Sequence, residues 1–238
     1  MTRPALIVGS NSDIGTAIAH ALAASGHGLQ LAARAPSDRL AADIAARHGV
    51  AVSTHVFDVT DTAGAATFLG SLPEMPGIVV SVAGFLGDPA ATRGDPERIS
   101  QIIAVNFTGP AVLLEAAAER IGSGWVIGVS SVSGDRGRAS NYWYGAAKAG
   151  LSTMLSGLRQ RYAGSNVRVM VVKPGFVATR MTRGMKLIGP LTNTPEEIAA
   201  LVCKAMDRGR EVVYPFRWWL VMLALRSVPE RIYRRLKL

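Results

Sequence analysis

Short apolar runs recur along this chain and alternate with longer stretches of helical pattern. The runs occupy residues 5–9, 28–33, 52–57, 77–82, 124–130, 167–172 and 211–214. Helical periodicity fills the intervals at 14–25, 37–48, 61–69, about 96–121, and on to about 163 from the segment carrying Tyr144. A further helix starts at Thr194-Pro195, with acids at Glu196 and Glu197 in its first turn. Strands buried on both faces read as continuous apolar runs, and parallel neighbours need a crossover of helical length. The alternation therefore predicts an α/β fold, a doubly wound parallel sheet of seven strands flanked by helices. No internal repeat or linker divides the chain, so 1–215 reads as one domain and 216–238 as its helical tail.

Composition narrows the classes. With 238 residues and 49% hydrophobic side chains, the chain can bury a full core and is not disordered. The single cysteine, Cys203, excludes an internal disulfide framework and a cysteine-based zinc site, and no metal is expected. Net charge is +9, but the segment from Arg208 onward holds eight Arg or Lys against two Glu. Terminal charge without a recognition motif excludes a nucleic-acid binder. The apolar run after Met1-Thr-Arg-Pro is too short for an export signal. No stretch approaches the roughly 20 apolar residues of a bilayer span. The expected location is the cytoplasm, with peripheral contact at the inner membrane face as an addition.

The first strand runs into Gly9-Ser-Asn-Ser12-Asp13-Ile14-Gly15 and then a helix. Glycines let the backbone approach a pyrophosphate, and the helix N-terminus supplies amide donors, so this is a Rossmann-type dinucleotide turn. Asp13 puts a carboxylate near that anion site, where it can cap the helix by turning toward the amides. The plain alternative is a structural turn. About twenty residues further on, where ribose selectivity is set, the chain reads Leu31-Ala-Ala33-Arg34. No acid awaits the 2′-hydroxyl of NAD. Arg34 can pair with a 2′-phosphate, which favours NADP(H) over NAD(H). The alternative is a solvated arginine.

Tyr144 and Lys148 are four residues apart, one above the other on a helix face. A phenol titrates near pH 10, about three units too high for neutral-pH acid–base work, and a fixed cation one turn away lowers it. Ser131 lies thirteen positions before the tyrosine.

Together these residues resemble the short-chain dehydrogenase/reductase family over about 5–215. Its glycine turn is G-x-x-x-G-x-G, and Asp13 replaces the middle glycine. The Ser131–Tyr144 spacing matches. Asn106 in Val105-Asn-Phe-Thr-Gly109 matches its asparagine, and Lys173-Pro174-Gly175-Phe-Val177-Ala-Thr179 its Pro-Gly segment. Val82 replaces an asparagine before Ala83-Gly84.

The resemblance implies a carbonyl reductase, or the reverse dehydrogenase, with a Tyr proton donor. Tyr144 would protonate the carbonyl oxygen. Lys148 would lower its pKa and hold the nicotinamide ribose. Ser131 would hydrogen-bond the carbonyl, and Asn106 would position a water linking Lys148 to solvent. It also implies cofactor contacts at Asp58-Val59, Ala83-Gly84, Pro174-Gly175, Val177 and Thr179, and a homodimer or homotetramer. Ser130 should face away from the site. A narrower likeness, on Phe85-Leu-Gly-Asp88, Gly134-Asp-Arg-Gly-Arg138 and the basic aromatic C-terminus, is to the decaprenylphosphoryl-2-keto-ribose reductase subgroup. It implies a keto group on a large, lipid-linked or anionic substrate.

Arg136 and Arg138 are candidates for a substrate phosphate, with solvated loop charges as the alternative. Tyr142 and Trp143 can line the pocket or the core, and 181–194 reads as a lid. In the tail, Trp218 and Trp219 among arginines suit an anionic membrane surface. Packing on a neighbouring subunit and a disordered end are the other readings. A non-catalytic dinucleotide sensor or membrane scaffold is the competing function, and the retained catalytic set argues against it.

Overall fold

Strand β1 (Ala5–Val8) is apolar throughout because its two faces feed different cores. Ala5 and Ile7 pack on one side, Leu6 and Val8 on the other. Strand β2 (Leu29–Ala33) divides likewise, with Leu29 and Leu31 opposite Ala32. A computed structural model describes residues 3–236 of the chain.

The elements follow in order as α1 (Asp13–Ala24), α2 (Asp38–His48), β3 (Val52–Val56), α3 (Ala65–Ser71) and β4 (Ile78–Ser81). Next come α4 (Pro89–Thr92), α5 (Pro96–Ile103), a π-helical turn (Ala104–Thr108), α6 (Gly109–Arg120), β5 (Gly124–Val129) and α7 (Tyr142–Arg161). The last are β6 (Val167–Val172), β7 (Phe176–Val177), β8 (Thr192–Asn193), α8 (Pro195–Asp207), β9 (Val212–Val213), α9 (Phe216–Ser227) and α10 (Glu230–Tyr233). Seven strands form one parallel sheet in the order β3-β2-β1-β4-β5-β6-β9, the architecture expected from the sequence. Helices α1, α2 and α8 cover one face, and α3, α6 and α7 the other. Strand order reverses between β1 and β4, and such a switch point opens a crevice at the carboxyl ends of the strands.

Local chemistry explains the boundaries. Ser12 caps α1 by accepting from the Gly15 amide at 3.1 Å. Thr194 and Glu197 form a reciprocal capping box on α8. The helix expected at 61–69 starts later, because Asp61 closes a turn on the Gly64 amide at 2.9 Å. The helical region 96–121 holds a π turn within it.

That join corrects the expectation that no segment reaches membrane-spanning length. Pro96–Arg120 is a continuous 25-residue helix, apolar enough to qualify by length and composition. Here its side chains Leu113, Leu114 and Ala117 are buried against the sheet.

The lid region also has more structure than a loop. Strands β7 and β8 pair in parallel, Phe176 with Thr192 and Val177 with Asn193, and pinch its base closed. The tail is ordered over its described part, and Lys237-Leu238 at its end lie outside the described residues. Trp218 and Met222 of α9 are buried with Val132, so the inner face of the tail belongs to the core beside the β5 end.

Candidate active site

A cavity of about 520 Å³ opens at the switch point, lined by Gly9, Ser12, Arg34, Asp58, Val59 and Ala83 among others. Gly9 has φ +90°, and a Cβ there would sit 3.0 Å from the Ala83 amide nitrogen. Gly15 lies under the turn, where a Cβ would stand 2.5 Å from the Gly9 carbonyl oxygen. Only glycine fits this tight crossing, and the opening above it suits a diphosphate. Val82 fills the space where the family has asparagine, with Cγ2 3.2 Å from the site of a Gly9 Cβ.

Sequence reading missed the residues that hold Arg34. Buried Ser37 bonds to Ser10 at 2.8 Å and donates to Asn11 Oδ1 at 2.8 Å. Asn11 Nδ2 donates in turn to the Ala35 carbonyl at 3.0 Å. This network ties the loop after β2 to the glycine turn. The only available signal was a pair of serines that read as turn and helix-start residues. Arg34 is exposed at the cavity rim. Its charge helps keep the Asp58 carboxyl below the usual range, after the larger effect of the Thr60 backbone N–H.

A second cavity of about 120 Å³ continues from the first, since Val82 and Gly84 line both. Ile14, Ser131, Tyr144, Lys148, Pro174, Gly175, Val177 and Thr179 border it. Helix α7 brings Tyr144 and Lys148 onto one face, with Lys148 Nζ 5.8 Å from the phenol ring centre. Ser131 stands beside them in the cavity, its Oγ accepting from the Ser133 amide at 3.1 Å and donating weakly to the Pro174 carbonyl at 3.4 Å. Lys148 Nζ donates to the Val129 carbonyl at 2.9 Å and more weakly to Ala83 at 3.4 Å. Burial pushes the Tyr144 phenol up to about 12, against the lowering effect of the Ser131 hydroxyl. Burial also pushes the Lys148 ammonium down to about 7. Desolvation is therefore the dominant influence on the phenol. A polar ribose hydrogen-bonded to the ammonium would favour its charged form, and that charge would pull the phenol down.

Asn106 sits fully buried in the π turn. Its Nδ2 donates to the carbonyls of Phe85 at 2.7 Å and Ile102 at 2.9 Å, and its Oδ1 accepts from the Phe85 amide at 3.0 Å. The side chain thus braces the segment after Gly84. Ser130 faces away, as expected, bonding the Lys148 carbonyl at 2.8 Å and Ser152 at 2.7 Å.

Beneath Ser131, Asp135 is buried between Lys173 Nζ at 2.7 Å and the Tyr214 hydroxyl, which donates to it. Burial and the Asp135 carboxylate both push the Tyr214 phenol far up. This trio joins three chain segments below the site and was not anticipated, because its members lie far apart in sequence.

Three expectations are corrected. Asp13 does not cap α1. Its carboxylate takes Arg180 Nε at 2.8 Å and the Arg180 amide at 2.6 Å. Arg136 is not free for a substrate phosphate. It donates to the carbonyls of Leu225 and Val228, both at 2.6 Å, pairs with Glu230 at 2.8 Å, and stacks on Tyr233 with its guanidinium carbon 3.8 Å from the ring centre. These carbonyls lie at and just past the end of α9, where Leu225 receives only a long bond of 3.3 Å from the Val228 amide, so a guanidinium can bind there. Arg138 lies near Trp218 and Met222, with its Nε buried and without a hydrogen-bond partner, so its candidacy is not overturned. Tyr142 is 43% exposed, so it is not a core residue, and it borders a small recess beside Tyr144 and Leu86.

The tail also completes the site from behind. Trp218 lies flush on Gly175, where a Cβ would fall 1.9 Å from the indole. Its Nε1 donates to the Leu191 carbonyl at 2.6 Å, and Phe176 meets it edge-on at 5.2 Å. Gly175 therefore answers to α9 on one side and to the cavity on the other.

Comparison with known proteins agrees with this geometry. The sequence profile of the short chain dehydrogenase family matches residues 3–187. An uncharacterised oxidoreductase of Mycobacterium tuberculosis is 38% identical, with 98% of this chain and 96% of the relative aligned. One from Streptomyces coelicolor is 35% identical over the same shares. Among solved structures, a short-chain dehydrogenase from Sphingobium yanoikuyae in complex with NADPH superposes with a TM-score of 0.81 at 26% identity, covering 95% of this chain and 97% of that one.

Proposed function

This chain belongs to the short-chain dehydrogenase family, and on that premise we propose that it reduces a ketone to a secondary alcohol with NADP(H), or runs the reverse reaction. The observation that carries the reading is the single cavity bordered by Ser131, Tyr144 and Lys148, with Lys148 Nζ 5.8 Å from the phenol ring centre. When bound, the nicotinamide supplies the hydride. Tyr144 delivers its proton to the carbonyl oxygen as charge grows there. Ser131, beside the phenol in the same cavity, donates to the same oxygen and fixes its position. Lys148, anchored on the Val129 carbonyl, stabilises the phenolate that remains. Arg34 at the cavity rim, with no acid at the end of β2, supports NADP(H) over NAD(H). The Sphingobium relative's NADPH agrees with this.

Exchanging Tyr144→Phe tests the assignment. Turnover of a ketone panel should fall at least a thousandfold while the NADPH Kd, read by fluorescence, stays within threefold. Retained turnover would remove Tyr144 from the chemistry. Binding by wild type with no turnover of any ketone, lipid fractions included, would favour the sensor reading.

A lipid-linked or otherwise amphiphilic ketone suits the outer surface best. Met181, Met185 and Ile188 of the lid are exposed, and so is a stripe of α9 formed by Phe216, Trp219, Leu220 and Leu223. Arg217 joins the two regions by donating to the Pro190 carbonyl at 2.8 Å. Exposed arginines at 217, 226, 231, 234 and 235 flank the stripe. A two-fold contact through this face would set cation against cation, whereas an anionic lipid surface complements it. The chain therefore works against an anionic membrane face, with a dimer or tetramer, if formed, using other surfaces.

A further inference from the structure

The two cavities share Val82 and Gly84, Val82 packs against the glycine turn, and one ion pair sits on that turn. Asn11 and Ser12 line the first cavity, and Ile14, Thr179 and Met181 line the second. Asp13 lies between Ser12 and Ile14, and Arg180 between Thr179 and Met181, and they bind each other twice, through the guanidinium and the Arg180 amide. The same guanidinium also donates to the Asn11 carbonyl. A dinucleotide reaching from one cavity to the other must lay its diphosphate along Gly9, Ser12 and Ile14. In this chain that path carries a carboxylate at the family's middle glycine.

An uncompensated carboxylate beside a diphosphate repels it, and the repulsion grows as water is excluded. We propose that Arg180 is a positioning residue for the dinucleotide: it neutralises Asp13 and holds its carboxylate toward the lid. The two residues form one unit, a coupled replacement for a glycine. Their pairing also ties the start of the lid to the turn, so cofactor site and lid close on a shared contact. The proposal rests on the dinucleotide reading above and not on the identity of the ketone.

A double-mutant cycle read by NADPH fluorescence titration tests it. Arg180→Ala should raise the Kd about tenfold or more, and raising salt from 50 to 500 mM should shrink that penalty, because a bare Asp13 is then screened. Asp13→Gly should bind at least as well as wild type, and Arg180→Ala added to Asp13→Gly should cost less than threefold. Equal losses in both backgrounds would show that Arg180 acts on the cofactor directly and would overturn the proposal, as would an unchanged Kd in Arg180→Ala. Wild type that fails to bind NADPH would instead defeat the dinucleotide reading itself. Circular dichroism melts of each variant separate these outcomes from unfolding.

Discussion

At the scale of single residues, Lys148 has the most to lose from burial. Its value in the fold lies near 7, against an ordinary 10.5 when unfolded. Between those limits the unfolded chain holds a proton that the folded chain has released, so stability rises with pH across that window. Below about 7 both states are protonated and this residue contributes no slope. Lys148→Met should flatten the rise in urea midpoint between pH 7 and pH 9.5 in the ligand-free protein. An identical slope in the variant would place the ammonium in water. The candidate trio Ser131, Tyr144 and Lys148, which borders one cavity, could be picked out of the sequence because an i, i+4 pair and a serine at fixed spacing are local or nearly local signals. Arg136 was misread for the opposite reason. Its partners lie some ninety residues away, and no local pattern distinguishes a guanidinium bound to helix-end carbonyls from one awaiting a phosphate.

At the scale of elements, α9 is held from outside by that arginine and from inside by Trp218. A charged donor on buried carbonyls contributes about 1.5–3 kcal/mol, whereas the Arg136–Glu230 pair adds little, since Glu230 is 78% exposed. Arg136→Ala should therefore lower stability by roughly 1–3 kcal/mol and release amide-exchange protection across α9 and α10. Arg136→Lys should recover only part, because one ammonium cannot bridge several carbonyls in a plane. Undiminished protection in the alanine variant would mean the helix is held by packing alone. Element types were readable because the central strands β1, β4 and β6 are short, largely apolar runs between turn residues. The pairing of β7 with β8 was not readable, since two-residue strands carry no period and their register depends on α9 pinning Pro190 and Leu191.

At the scale of the whole molecule, the exposed stripe on α9 and the neighbouring lid form one apolar face with a cationic rim. The protein should sediment with phosphatidylglycerol vesicles at low salt and stay in the supernatant with phosphatidylcholine. The double variant Trp219→Ala, Leu223→Ala should lose that partition while keeping its melting temperature, because both side chains are largely exposed. Salt-independent self-association through the same residues would replace the lipid with a second copy. The basic aromatic tail was visible in the sequence. Its division into an exposed apolar outside and an inside packed behind the candidate site was not, because only the fold decides which side of a helix meets Val132 and Gly175. That division has a consequence for how the protein is made. The wall behind Pro174-Gly175 is supplied by Trp218, which follows every strand of the sheet in the chain, so an emerging polypeptide can pair its strands before its reaction chamber has a back.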